Sequence, residues 1–187
     1  MKILKKLLVR IILLILTVGI VCSSVVAVLG YFMYRDALKE QSLEDRVAEV
    51  QANPSYTTLA ELPDIYLEAV VAVEDHRFRQ HCGIDIIAIA RATWNNIKSW
   101  SLREGGSTIT QQLAKNLYFT QERSFIRKAA EMFMAFRLEQ TYTKDEILEL
   151  YVNSIYFGDG YYCVRDASEG YFGKEPADMT DDEATLL

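Results

Sequence analysis

The sequence predicts a mostly α-helical protein with one N-terminal transmembrane helix. Three observations carry that class. Ile11–Tyr34 runs 24 residues without a charge. At ~1.5 Å per residue it covers ~36 Å as a helix, enough to cross a ~30 Å hydrocarbon core with some tilt. Beyond it, apolar residues recur at helical spacing and helix-start signals recur with them, while no run reads as a strand of a parallel sheet.

Along the chain, Met1–Arg10 carries Lys2, Lys5, Lys6 and Arg10 and no acid. That flank should stay cytoplasmic and place the chain beyond Tyr34 outside. A cleaved signal peptide is the competing reading. The apolar run is long for one, no A-x-A site comes after it, and bulky Val21 before Cys22 argues against lipoprotein cleavage. The expected organisation is therefore a cytoplasmic tail and signal anchor (1–34), a juxtamembrane stalk or linker (35–58) and a folded domain (59–187). Arg35–Ala52 has some helical periodicity and should extend the anchor helix. Asn53–Thr58 (NPSYTT) breaks it.

Pro63 fits the first turn of a helix carrying Ile65, Leu67, Val70, Val71 and Val73, which delivers Glu74 and Asp75 at its end. Asp85–Trp100 reads as a second helix with Ile86, Ile87, Ile89, Ala90, Trp94 and Ile97 as its core face. Leu102–Gly106 is a loop, since Gly105-Gly106 permits conformations barred to other residues. Helices follow at Thr108–Leu117 and Ser124–Gln140, the latter with Phe125, Ala129, Met132, Phe133, Phe136 and Leu138 as apolar surface. Thr143/Glu146 and Thr180/Glu183 are capping boxes before Ile147–Val152 and Ala184–Leu187. Asn153–Tyr162, rich in Gly and Tyr, is a loop. Because these helices carry their own apolar faces and caps, the domain is expected to fold without Met1–Tyr34, leaving that segment as a tether.

Charge narrows the function. Without its four N-terminal cations the chain holds 16 basic against 26 acidic residues, which excludes a general nucleic-acid binder. Between His76 and Lys128 the balance reverses, with nine Lys/Arg against Asp85, Glu104 and Glu122. Glu74 and Glu131 bracket this cationic stretch, an arrangement suited to chemistry on a phosphate-bearing substrate. Cys82 and Cys163 could pair outside the cell or remain separate thiols. His76 and His81 are the only histidines and there is no C-x-x-C, so no metal site is expected.

Each candidate has a plainer reading. Glu74 is either a helix-terminal surface acid or a carboxylate whose apolar surroundings raise its pKa and make it a base. Gly105–Thr108 is either a flexible loop or a helix start whose free N–H groups and hydroxyls hold an anion. Gln111 and Lys115 share a helix face at i, i+4. Arg123, Arg127 and Glu131 fall at i, i+4, i+8 and form either one functional face or a ladder of surface ion pairs of little worth.

Three strings decide among these readings. They are EDHRFRQHCG (Glu74–Gly83), GGSTITQQLAKN (Gly105–Asn116) and RKAAE (Arg127–Glu131). Together, in this order, they resemble the family 51 glycosyltransferases, the peptidoglycan transglycosylases of bacterial cell-wall synthesis. KDEILELYVN (Lys144–Asn153) and YFGK (Tyr171–Lys174) also fit, and the resemblance covers about Leu62–Leu187. One departure stands out: GYYCVRDASEG (Gly160–Gly170) places Tyr161, Cys163 and Asp166 where the family has small residues.

The resemblance implies a lysozyme-like helical fold and the activity of a membrane-anchored transferase. Such an enzyme polymerises lipid II into β-1,4 glycan on the outer face of the membrane, with inversion. Glu74 would be the base, Glu131 the second important acid in the donor subsite, and Lys115, Arg123 and Arg127 the pyrophosphate clamp. Asp75, Arg91, Ser107, Thr108, Gln111, Gln112 and Asn116 would complete substrate binding, with Phe78 and His81 as packing and hydrogen-bonding residues. No cofactor is implied, although a divalent cation could assist at the substrate phosphates. The expected partners are lipid II, a lipid-linked glycan chain, the membrane and other cell-wall synthesis proteins. A muramidase-type hydrolase and an inactive docking fragment are the alternatives. Family domains continue past EATLL, so the chain is expected to be either a short monofunctional enzyme or an incomplete one.

Overall fold

The structure, a computed structural model, describes residues 2–100, 105–120 and 124–187. The described residues contain α-helices, short 3₁₀ turns and no strand. The apolar N-terminus and the first residues of the polar stretch form one helix, α1 (Lys2–Glu40), and the expected extension to Ala52 is interrupted at Gln41–Ser42. It is long and apolar enough to cross a membrane. Helix α2 (Leu43–Gln51) follows at once, started by Ser42, whose hydroxyl accepts from Asp45 N. Then come α3 (Asp64–Glu74), α4 (Ile86–Ser99), α5 (Ile109–Tyr118), α6 (Phe125–Thr141), α7 (Lys144–Val152), α8 (Val164–Phe172) and α9 (Asp181–Leu186). Both expected capping boxes form, at Thr143/Glu146 and Thr180/Glu183. Pro63 sits one residue outside α3, as its N-cap.

The core is built around α5. Ile109, Leu113, Ala114 and Leu117 are buried against Met134 and Leu138 of α6 and against Ile147, Leu148 and Tyr151 of α7. Tyr66 of α3 and Ala184 of α9 close the other side. Residues 35–58, expected as a stalk, belong to this core. Leu43 and Val47 of α2 are buried in it. The NPSYTT segment is tied to α7, because Asn153 accepts from Thr57 N at 2.8 Å and donates to Thr57 O at 2.7 Å. Glu149 accepts from Tyr56 and from Leu59 N.

The expected core face of α4 is not core, and the expected apolar surface of α6 enters the core only in part. On α4 only Ala92 is buried, whereas Ile86 is 77% and Trp94 68% exposed. Helical period identifies which residues share a face, but not what that face meets. On α6 the buried stripe is Ala130, Met134, Ala135 and Leu138, while Phe125 is 85% exposed. The opposite side of α6 meets α1. Gly30, the only buried residue of α1, abuts Ala129 and Ala130, and Tyr31 and Tyr34 pack on Phe133 with centroids 5.5 and 6.1 Å away. The tether expectation is therefore corrected: deleting Met1–Tyr34 would strip a packed face of α6.

The contact has no room to grow. A Cβ on Gly30 would lie 2.5 Å from Ala129 Cβ and 3.0 Å from Ala130 N. Gly30→Leu should lower stability in detergent by about 1–3 kcal/mol through overpacking. Gly19, with nothing within 4 Å, provides the control, and Gly19→Leu should stay within about 0.5 kcal/mol of the parent. Equal melting temperatures for the two variants would show that α1 does not dock on α6.

Candidate active site

Helix α3 ends at Glu74 because Asp75 leaves helical geometry, at φ −161 and ψ 71. The two adjacent acids then part. The Asp75 carboxylate turns inward and is buried. Its oxygens lie 3.0 and 2.9 Å from His81 Nε2, and one accepts from Ile109 N at 3.1 Å. Glu74 stays exposed and accepts from Gln112 Nε2 at 2.7 Å. Asp75 thus pins the start of α5 to the end of α3, which sets Glu74 over α5.

Gln112, Lys115 and Asn116 share one face of α5 at i, i+3, i+4 and line a cleft of about 860 Å³ with Glu74. The rest of the lining comes from Tyr66 and Val70 of α3, Tyr151 of α7, the Tyr156–Phe157 turn with Tyr162, and the end of α9. Lys115 makes no ion pair among the described residues, so its charge is free to meet an anion there. Tyr151 OH donates to Gln112 Oε1 at 3.3 Å. Burial pushes the Tyr151 phenol up, and the Glu74 and Asp75 carboxylates add to the effect. Tyr151 therefore keeps its proton and turns the Gln112 amide so that its NH₂ faces Glu74.

A second cluster lies on α6. Glu131 is 1% exposed. It pairs with Arg127 and, at 2.8 Å, with Lys128, whose ammonium also donates to Ser107 Oγ at 2.7 Å. One buried carboxylate thus gathers two cations and leaves the group net positive, as a site for a phosphate requires. Arg127 also lines a pocket of about 480 Å³ with Asp36 and Glu40 of α1 and Ser124.

The other expected residues fall in different places. Asp75 is buried and engaged internally. Thr108 and Gln111 are buried in a reciprocal capping box at the start of α5, and Thr108 Oγ1 donates to Gly83 O at 2.6 Å. The expected anion site at this helix start is therefore filled by the protein's own groups, with Asp75 on Ile109 N and Thr108 Oγ1 on Gln111 N. Gln112, not Gln111, shares the cleft face with Lys115. Arg91 is exposed on α4. Arg123 and most of the Leu102–Gly106 loop lie outside the described residues. Cys82 is exposed and Cys163 buried, each a free thiol. Sequence reasoning missed Tyr151, Tyr156, Tyr162 and Lys128. Only Lys128 had a readable signal, three residues before Glu131.

The family model described as Transglycosylase matches residues 40–187. The chain belongs to the transglycosylase family. That is the family the three motifs resemble. Among its relatives, penicillin-binding protein 1F of Bacillus subtilis is 37% identical over 98% of this chain and 27% of that protein. Penicillin-binding protein 1A of Neisseria lactamica is 46% identical over 71% of this chain and 16% of that protein. The 1A protein of Aquifex aeolicus is 46% identical over 71% and 18%. The chain thus spans about a quarter or less of the length of these relatives. Together with the apolar α1, they fit a membrane-anchored protein.

Tyr151→Phe tests the Gln112 relay. Losing one net hydrogen bond of about 1 kcal/mol should slow turnover per folded molecule roughly fivefold without unfolding the domain. An unchanged rate would show that Gln112 needs no such holding.

Proposed function

We propose that the chain polymerises lipid II into β-1,4 glycan at the outer face of the bacterial membrane. The observation that carries this reading is the presence, in one cleft, of an exposed carboxylate, Glu74, and an ammonium with no ion pair among the described residues, Lys115. Glu74 takes the proton from the 4-hydroxyl of the GlcNAc unit of lipid II as that oxygen attacks C1 of the donor. The C1–oxygen bond to pyrophosphate breaks, the new C1–O4 bond forms with inversion, and polyprenyl pyrophosphate leaves. Lys115 is a mobile point charge suited to the developing negative charge. Arg127 extends the positive field to the donor, and Glu131 acts through Arg127 and Lys128 by fixing where they stand; Arg123, which the family resemblance adds to the clamp, lies outside the described residues.

The proposed reaction uses no resident cofactor, and a divalent cation would arrive with the substrate phosphates. The N-terminal cations of α1 support a cytoplasmic N-terminus with the domain outside. Sharing the membrane with a lipid-linked substrate confines enzyme and substrate to one surface and raises their effective concentration.

Glu74→Gln keeps the shape and the Gln112 neighbour but removes the base. Polymerisation of lipid II should fall roughly 10²–10⁴-fold while the melting temperature holds. The same preparations should be given preformed glycan. Polymer from lipid II supports the transferase, cleavage of glycan would mean a hydrolase, and neither would mean a docking fragment. A Gln variant that polymerises near the parent rate would overturn the assignment of Glu74.

A further inference from the structure

Tyr161 occupies a position where the family resemblance expects a small residue, and the fold makes room for it. The turn from Tyr156 to Tyr162 forms one wall of the cleft. It is closed by Phe157 N donating to Tyr161 O and by Tyr161 N donating to Gly158 O, both at 2.9 Å. Between them Gly158, Asp159 and Gly160 all have positive φ, at 98, 47 and 89. Gly160 N also donates to Tyr156 OH at 3.4 Å, and the turn is braced from outside as well. The brace is α8. Tyr171 OH donates to Phe157 O at 3.0 Å. The Tyr161 ring meets the Tyr171 ring edge-on, with centroids 5.2 Å apart at 78°. It can do so because residue 170 is glycine: a Cβ there would fall 2.0 Å from Tyr161 Cζ. The turn in turn presents Tyr156 and Tyr162, with ring centroids 4.9 Å apart and both residues more than half exposed.

We propose that Tyr161, seated on Gly170, is a positioning residue that sets this wall so that a hexose of the substrate lies against the Tyr156–Tyr162 pair. The substrate half of the proposal rests on the transferase reading above. The ring carries the effect and not the hydroxyl, which has no hydrogen-bond partner among the described residues.

The test uses the full chain in detergent with four variants: Tyr161→Phe, Tyr161→Ala, Gly170→Ala and the double Tyr161→Ala/Gly170→Ala. In a helix, Gly→Ala alone ordinarily stabilises. Here the atoms nearest the added methyl are all at the far end of the Tyr161 ring, so the ring should move and α8 should stay. Tyr161→Phe should match the parent. Tyr161→Ala and Gly170→Ala should each raise KM for lipid II roughly three- to tenfold with kcat held, the range a lost aromatic pair gives. Both should lose amide-exchange protection across Gly158–Tyr162 while the melting temperature changes little. The double variant should be no worse than Tyr161→Ala. Parent-like KM and protection in either single variant, or additive losses in the double, would overturn the proposal. A parent chain that makes no polymer would sink the transferase reading and the hexose contact with it. The exchange data would still decide the Tyr161–Gly170 seat.

Discussion

The Asp75 carboxylate joins three pieces of chain that are distant in sequence. It ends α3, receives His81 from the following loop and caps α5 through Ile109 N. A buried carboxylate is costly unless its lone pairs are used, and a charged acceptor bond returns about 1.5–3 kcal/mol where a neutral one returns about 1. Here the partners surround it. A negative group at a helix N-terminus also gains from the helix dipole. The consequence for function is geometric. With α5 pinned to the end of α3, the residue before Asp75 must stand over the Gln112–Lys115–Asn116 face.

This arrangement gives the two acids of the first motif opposite tasks. Glu74 is exposed in the cleft, whereas Asp75 is consumed in holding it there. Glu131 resembles Asp75 more than Glu74, since it is buried and occupied by Arg127 and Lys128. The proposed chemistry thus rests on one reactive carboxylate and two supporting ones. The anchor helix also enters this architecture. Gly30, Tyr31 and Tyr34 pack on the outer side of α6, the helix that carries Glu131, so α1, long and apolar enough to cross a membrane, also braces the helix of the cationic cluster.

Much of the fold was legible in the sequence because its signals are local. Caps at Thr143 and Thr180, the uncharged run at Ile11–Tyr34 and the end of α3 at Glu74 each depend on a few neighbouring residues. What was not legible depends on distant partners. The apolar stripe of α4 has a helical period whether or not a core meets it. Gly30 is one of several small residues in α1 until Ala129 is seen beside it. Gln111 and Gln112 are adjacent in sequence. Thr108 and Gln111 form a T-x-x-Q capping box, a local signal that pairing Gln111 with Lys115 by helical spacing passed over. Tyr151, Tyr156 and Tyr162 reach the cleft through α7 and the turn after it, and no spacing rule relates them to Glu74.

Placement of Glu74 by Asp75 is the central claim, and Asp75→Asn tests it most directly. Asn keeps the shape and one acceptor but cannot serve His81 and Ile109 N with a charge. The measurement is lipid II polymerisation per folded molecule, taken beside the melting curve and amide exchange at the start of α5. The predicted result is a stability loss of about 1–3 kcal/mol, weakened protection at the first turn of α5, and turnover that falls even among folded molecules. Turnover per folded molecule equal to the parent's, with the α5 start still protected, would contradict it.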